Sequence, residues 1–386
     1  MNFHENLKVQ NLLKLAKLFP RRKATVTTAT QRDLIQAASH PAARPSAGEL
    51  LPGALAAEGM IRIERLLQKA ARGAPIELRR ACEDLVGAGG KRVRPLLTML
   101  SARASRPDRK QAKGRVALAL AAELCHSATL LHDDVIDDGL TRRGLPAPRV
   151  AYGNGVSVLA GDWMLSSALE LALRSKVPGG VEALVRTLRE LVSGEGRQLA
   201  LRGDVSFSSE DALWVAKMKT GALFGFCAEA GGLAARAPKP LCDSLRRFGQ
   251  ACGTAFQISD DLLDFQSDAA AMGKAVLADV AEGKASLPVA LALEKNPALR
   301  GELRALLSDE LKQADMPNMG APVDELVPAR VRTFAAKILR TSALTTARKI
   351  AERERDVALA ALNEVPPSET RDLLALVAAL LLDRSK

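Results

Sequence analysis

Residues 123–144 read ELCHSATLLHDDVIDDGLTRRG, an apolar run that ends in four aspartates and two arginines. As a helix it places His126, Leu130, Asp133 and Asp137 at spacings of four, three and four, so the acids form a polar end on a greasy face. Carboxylates that close repel. A pair of unit charges about 5 Å apart costs roughly 3 kcal/mol at an effective dielectric near 20. Such a cluster therefore either faces water or holds cations, and one copy alone does not choose between them. A second copy, FQISDDLLDF at 256–265, shifts the balance toward cations. There Gln257, Asp260, Asp261 and Asp264 share a helical face, while Phe256, Ile258, Leu262, Leu263 and Phe265 supply apolar surroundings.

Composition around these motifs reads as helix. Of 386 residues, 47% are hydrophobic and only 3% aromatic, and alternating β-branched runs are nearly absent. The formal charge of +11 is concentrated at the start, where residues 1–45 carry eight lysines and arginines against Glu5 and Asp33. No aromatics interleave with the basic residues as a base-stacking surface requires, which argues against nucleic acid as a partner. Five cysteines without a CxxC give neither a disulfide framework nor a zinc site and fit a reducing compartment. No uninterrupted apolar run approaches the roughly 18 residues of a membrane span. The longest, Leu373 to Leu382, reads as a buried helix.

Along the chain, residues 1–48 form a basic extension and 49–386 a single helical domain broken by short Gly/Pro turns. Three readings compete for the extension: a flexible tail, a helix that touches an anionic membrane, and an organelle-targeting peptide. Helices are expected from Ala54 to Ala71, after Pro75, from Arg115 to Leu131, around Asp162 to Glu170, from Val181 to Leu201, from Ala212 to Leu233 and from Leu241 to Phe265. Between two of them lies GGKRVRP at 89–95, where glycines permit close backbone approach, Lys91, Arg92 and Arg94 are cationic donors, and Pro95 suits a helix start that favours anions. It lacks the residues of a Walker loop. A plain basic turn remains the alternative for it. Further cations stand at Arg142, Arg143, Lys219, Lys274 and Lys284. Two carboxylate clusters with so many cations ask for a ligand that is anionic and metal-bound, and diphosphate with Mg2+ meets both demands.

In this order and spacing, GGKRVRP, HSATLLHDDVIDDGLTRRG, the Lys219-Thr220 pair, FQISDDLLDF and GKAVLADVAEGKASLP at 273–288 resemble the trans-polyprenyl diphosphate synthase family. The resemblance spans Gly89 to Pro288 and departs from the family's pattern slightly, with Ser286 where Thr is commoner. It implies an all-α bundle of antiparallel helices around a deep central cavity, a homodimer, and an enzyme that condenses isopentenyl diphosphate with an allylic diphosphate. By the same resemblance Asp133, Asp137 and Asp260 hold Mg2+ with Asp134, Asp261 and Asp264 in support. Arg142 then binds the allylic diphosphate, and Lys91, Arg94, His126 and Arg143 bind isopentenyl diphosphate. Lys219, Thr220 and Gln257 line the reacting carbons, and Lys274 and Lys284 close over the phosphates.

Product length is argued from size. If the product grows down the helix below Asp133, at about 5.4 Å per turn, the residues one turn earlier set its floor. Ala128 and Thr129 are small there, where short-chain members resemble one another in carrying aromatics. A long all-trans product is expected, with a farnesyl or geranylgeranyl diphosphate synthase as the alternative. Close helix packing is the competing explanation of the small residues. A terpene cyclase and a non-catalytic partner subunit fit less well, because GGKRVRP and both acid motifs are intact.

Overall fold

The computed structural model describes residues 58–106, 113–142, 145–265, 280, 282–310 and 329–382. The backbone divides into two units, residues 1–61 and 62–386; of the first, only the opening of a helix is described. The basic extension, Arg143 and Lys274 therefore lie outside the described residues.

Among the described residues the second unit is all-α apart from one minimal ribbon. Helix α1 (Glu58–Arg72) and α2 (Ile76–Gly87) precede α3 (Val93–Ser105), α4 (Arg115–Ile136), α5 (Pro148–Tyr152), α6 (Asn154–Arg174) and α7 (Gly180–Leu201). Pro75 is the N-cap of α2 and Pro95 lies in the first turn of α3, where a missing N–H leaves no hydrogen bond unmade. The first acid helix, α4, ends at Ile136 with Asp137 as its cap, and Asp138 turns the chain at φ 54°. Two antiparallel strands follow, β1 (Thr141–Arg142) and β2 (Leu145–Pro146), with Arg142 opposite Leu145.

The stretch expected as one helix from Ala212 to Leu233 is three pieces: α8 (Ser209–Ala216), a π-helical turn (Lys217–Gly221) and α9 (Ala222–Ala234). A capping box opens α8. Ser208 Oγ accepts from the Asp211 amide at 3.1 Å, and the Asp211 carboxylate accepts from the Ser208 amide at 3.1 Å. Arg197 and then Ser208 hold the Asp211 carboxyl down to about 2. The second acid helix, α10 (Lys239–Leu263), follows. The chain then runs through α11 (Leu287–Lys295), α12 (Leu299–Glu310), α13 (Ala329–Leu339), α14 (Ala343–Ala361), a 3-10 turn (Leu362–Glu364) and α15 (Glu369–Leu382).

Helix α9 is the hub because, Glu229 excepted, it is apolar all round, with Phe224, Phe226 and Cys227 fully enclosed. It packs against α3, α4, α7 and α10, so both acid-bearing helices are set against one element. Helix α10 packs in addition on α14 and on the π turn, and α4 on α6. Ile258 and Leu262, interleaved with the acids of α10, belong to a core with Leu287, Leu291, Phe334 and Ile338. Burying each such side chain stabilises by about 1.5–3 kcal/mol. The Leu373 to Leu382 run is a core helix as expected, with Leu374, Val377, Ala378 and Leu381 buried. Among the described residues, α6 is apolar enough on average to pass for a membrane span, although Asp162 and Glu170 interrupt it.

Candidate active site

The centre of the site is a lysine between two carboxylates. Lys219 Nζ lies 2.5 Å from Glu195 Oε2 on α7 and 3.7 Å from Asp133 Oδ2 on α4. Burial alone would lower Lys219, but Asp133 and Glu195 outweigh it and hold the ammonium above its ordinary value. Burial pushes the Asp133 carboxyl up to about 6, with Glu195 and Asp137 adding to the rise and Lys219 opposing it. A negative charge at Asp133 is thus under-compensated. The next residue faces the other acid cluster: Thr220 Oγ1 donates to Gln257 Oε1 at 2.6 Å, and Gln257 Nε2 donates to Asp261 Oδ1 at 2.9 Å. Consecutive residues of the π turn therefore touch α4 on one side and α10 on the other.

Each aspartate of the first motif carries a cation from a different segment. Asp134 is buried and takes a fork from Arg142, with Nε at 2.8 Å and 2.9 Å and Nη2 at 2.5 Å. Asp137 lies 2.9 Å from Lys284 Nζ and 4.0 Å from Arg202 Nη1. Arg202 also donates to the Ile136 and Glu282 carbonyls at 3.1 Å and 3.2 Å, which ties the end of α4 to the turn that carries Lys284. In the second motif Asp260 is exposed, while Asp261 and Asp264 are buried.

At the 89–95 turn Lys91 is exposed, and Arg94 lies over the Phe224 ring, 5.1 Å from its centroid. Phe224 in turn stacks on Phe256 at 5.7 Å, one residue before Gln257. Burial lowers the pKa of Arg94, and the charges of Glu123 on α4 and Asp260 on α10 oppose the shift. His126 is half-buried on the same face of α4 as Asp133. Thr129 shares that half-open face, whereas Ala128 is buried. Of the pair, Thr129 is the more accessible position.

Two participants were not assigned from sequence. Glu195 and Arg202 look there like ordinary helix-surface charges; the one signal is that Gly194 and Gly196 flank Glu195 in mid-helix, where glycine is unfavourable. Arg92, grouped with the other cations of its turn, has its side chain only 11% exposed and is directed at Glu64 and Glu123 instead. A groove of about 650 Å3 runs along α7 and α8, and none of the predicted site residues lines it.

Among the described residues no three His, Cys, Asp or Glu side chains form a ready metal cluster. The donors nevertheless fit a hard divalent cation, since Asp133, Asp137 and Asp260 offer only oxygen, and burial leaves Asp133 short of positive charge. Such sites complete the metal shell with ligand phosphate and water.

A family model described as polyprenyl synthetase matches residues 75–319. The nonaprenyl diphosphate synthase of Mycobacterium tuberculosis is 38% identical over 261 residues, 68% of this chain and 77% of that protein. The heptaprenyl diphosphate synthase component 2 of Geobacillus stearothermophilus is 32% identical over 312 residues, 81% and 91% of the two chains. Among solved structures, a polyprenyl synthase from Caulobacter crescentus complexed with calcium and isoprenyl diphosphate superposes with a TM-score of 0.78 at 30% identity, covering 89% of this chain and 99% of that one. With GGKRVRP, both aspartate motifs and the Lys219-Thr220 pair on one all-α scaffold, the chain belongs to the polyprenyl synthetase family, the trans-polyprenyl diphosphate synthases.

Proposed function

We propose that this protein condenses isopentenyl diphosphate with an allylic diphosphate, repeatedly, to a long-chain all-trans-polyprenyl diphosphate. The observation that carries the reading is the π turn, whose Lys219 reaches Asp133 and whose Thr220 reaches Gln257 and, through it, Asp261. One short turn thereby links the helices that carry the two acid motifs. Asp133, Asp137 and Asp260 would hold Mg2+, which when bound supplies positive charge to a diphosphate as negative charge develops on it.

The chain's own residues do the rest. Lys219 and Arg142 grip the allylic diphosphate; as its carbon–oxygen bond breaks, the electron pair leaves with the diphosphate. Thr220 and Gln257 present oxygens toward the cationic carbons. Lys91, Arg94 and His126 hold isopentenyl diphosphate so that its double bond attacks the allylic carbon, and the proton lost afterwards goes to the released diphosphate. Lys284, 2.9 Å from Asp137, closes over the phosphates.

A long product is supported by the names of the relatives and by the small Thr129 on the open face of α4. Incubation with Mg2+, farnesyl diphosphate and labelled isopentenyl diphosphate, followed by sizing of the products, tests the function. Radiolabel in chains well beyond geranylgeranyl length is expected, and absence of incorporation sinks the reading. Thr129→Phe should shorten the product by several isoprene units, because the ring projects about one turn below Asp133. Unchanged lengths would remove the floor from this position.

Self-association is supported by the apolar outer surface of α6 and α7, where Val158, Leu159, Leu173, Val185, Val192 and Leu199 are exposed. A companion subunit is the second reading, favoured by the relative named as a component. Sedimentation of the purified chain decides: an active dimer supports the first, an inactive monomer the second. A cytoplasmic location is supported by five cysteines that are all free and buried. Contact of residues 1–45 with anionic membrane, supported by their charge, is tested by co-sedimentation with anionic vesicles.

A further inference from the structure

The GGKRVRP turn holds two arginines that the fold uses differently. Arg92 is the N-cap of α3 at φ 47° and ψ 36°, a left-handed conformation that side chains other than glycine adopt under constraint. The constraint is visible. Nε–H donates to Glu64 Oε2 at 2.8 Å, and Nη2 donates to Glu64 Oε1 at 3.2 Å and to the Val86 carbonyl at 3.1 Å. Nη1 donates to Glu123 Oε1 at 2.9 Å and to the Gly89 carbonyl at 3.4 Å. Every N–H of the guanidinium thus has an acceptor, and none remains for a phosphate. The acceptors come from α1, from the end of α2, from the turn itself and from α4.

Arg94 is the contrast. Its Nε is enclosed without a hydrogen-bond partner, as is the second carboxylate oxygen of Glu123, and its guanidinium lies over Phe224. One arginine of the turn is fully engaged by protein, while the other keeps donor capacity toward the space that Glu123 and Asp260 influence.

We infer that Arg92 is a positioning residue rather than a diphosphate ligand, and that Glu64 and Glu123 clamp it so that Lys91 and Arg94 are held in place for isopentenyl diphosphate. The inference rests on the reading of the site given above. A planar fork engaged on both edges is not reproduced by an ammonium, so Arg92→Lys is not conservative here. Glu64 is the better probe, because its side chain is 39% exposed and its loss does not open the core.

The test is steady-state kinetics with each substrate varied in turn, alongside thermal denaturation. Glu64→Gln and Arg92→Lys should each raise KM for isopentenyl diphosphate about tenfold, with KM for the allylic substrate within about twofold of the parent. A Glu64→Gln variant with unchanged or lowered KM for isopentenyl diphosphate overturns the clamp, since an Arg92 released to grip phosphate would produce it. An equal rise in both KM values with a lowered Tm also overturns it, as the mark of a general loss of structure. If the parent chain incorporates nothing, the reading of the site falls and this inference with it; an active parent with an indifferent Glu64→Gln defeats the clamp alone.

Discussion

Asp133 carries a charge that its surroundings resist. Its folded pKa, about 6, stands above the ordinary 3.8, so between those values the folded protein binds a proton that the unfolded chain does not. Stability of the metal-free protein therefore falls as pH rises through that window and is lowest, as far as this group is concerned, above pH 6. Asp133→Asn should stabilise the metal-free protein at pH 7.5 by on the order of 2 kcal/mol. The gain should vanish toward pH 4, and the variant should have lost nearly all incorporation activity. Thermal denaturation across pH checks the first two points; a variant no more stable than the parent at pH 7.5 contradicts them. Activity and stability oppose each other at such positions. The neighbouring acids differ from Asp133 in a way their letters do not show. Asp134, grouped with the metal donors from sequence, has both oxygens engaged by Arg142. That geometry makes it the group that orients Arg142.

The π turn is the element on which the site depends. It admits an extra residue per turn, which rotates Lys219 toward α4 while leaving Thr220 toward α10. Close approach on two sides makes room for it. A Cβ at Gly194 would lie 2.7 Å from Met218 Cβ and 2.9 Å from the Lys219 amide nitrogen. A Cβ at Gly221 would lie 2.8 Å from Thr254 Oγ1 and 2.9 Å from the Gln250 carbonyl oxygen. Neither contact involves the flexible end of a long side chain. Gly194→Ala should destabilise the protein by about 1–3 kcal/mol and, by shifting Lys219 away from Glu195 and Asp133, lower kcat at least about tenfold. Denaturation and incorporation assays on one preparation check both parts. Full activity would mean that α7 can retreat without disturbing the turn.

For the whole molecule, the cysteines report on packing. All five are buried and free, and burial pushes the thiols of Cys82 and Cys242 up to about 11, of Cys125 and Cys227 up to about 12, and of Cys252 higher still. The native protein should resist alkylation at pH 8 and take up five equivalents once unfolded, as mass spectrometry of iodoacetamide-treated samples would read. Rapid labelling of any one thiol in the native state would show that its helix opens.

The sequence by itself determined the all-α class and the helix that each acid motif occupies, because these follow from periodicity within a short segment. Helix starts near Pro75 and Pro95 were legible for the same local reason. The break at Lys217–Gly221 was not, since a π turn and an α-helix share one pattern of apolar residues and only contacts with α7 and α10 select between them. Nor could residue order separate Arg92 from Arg94, or Ala128 from Thr129. Whether a cation is engaged by protein, and whether a small residue faces packing or open space, depends on side chains brought in from helices dozens of residues away, which only the tertiary structure decided.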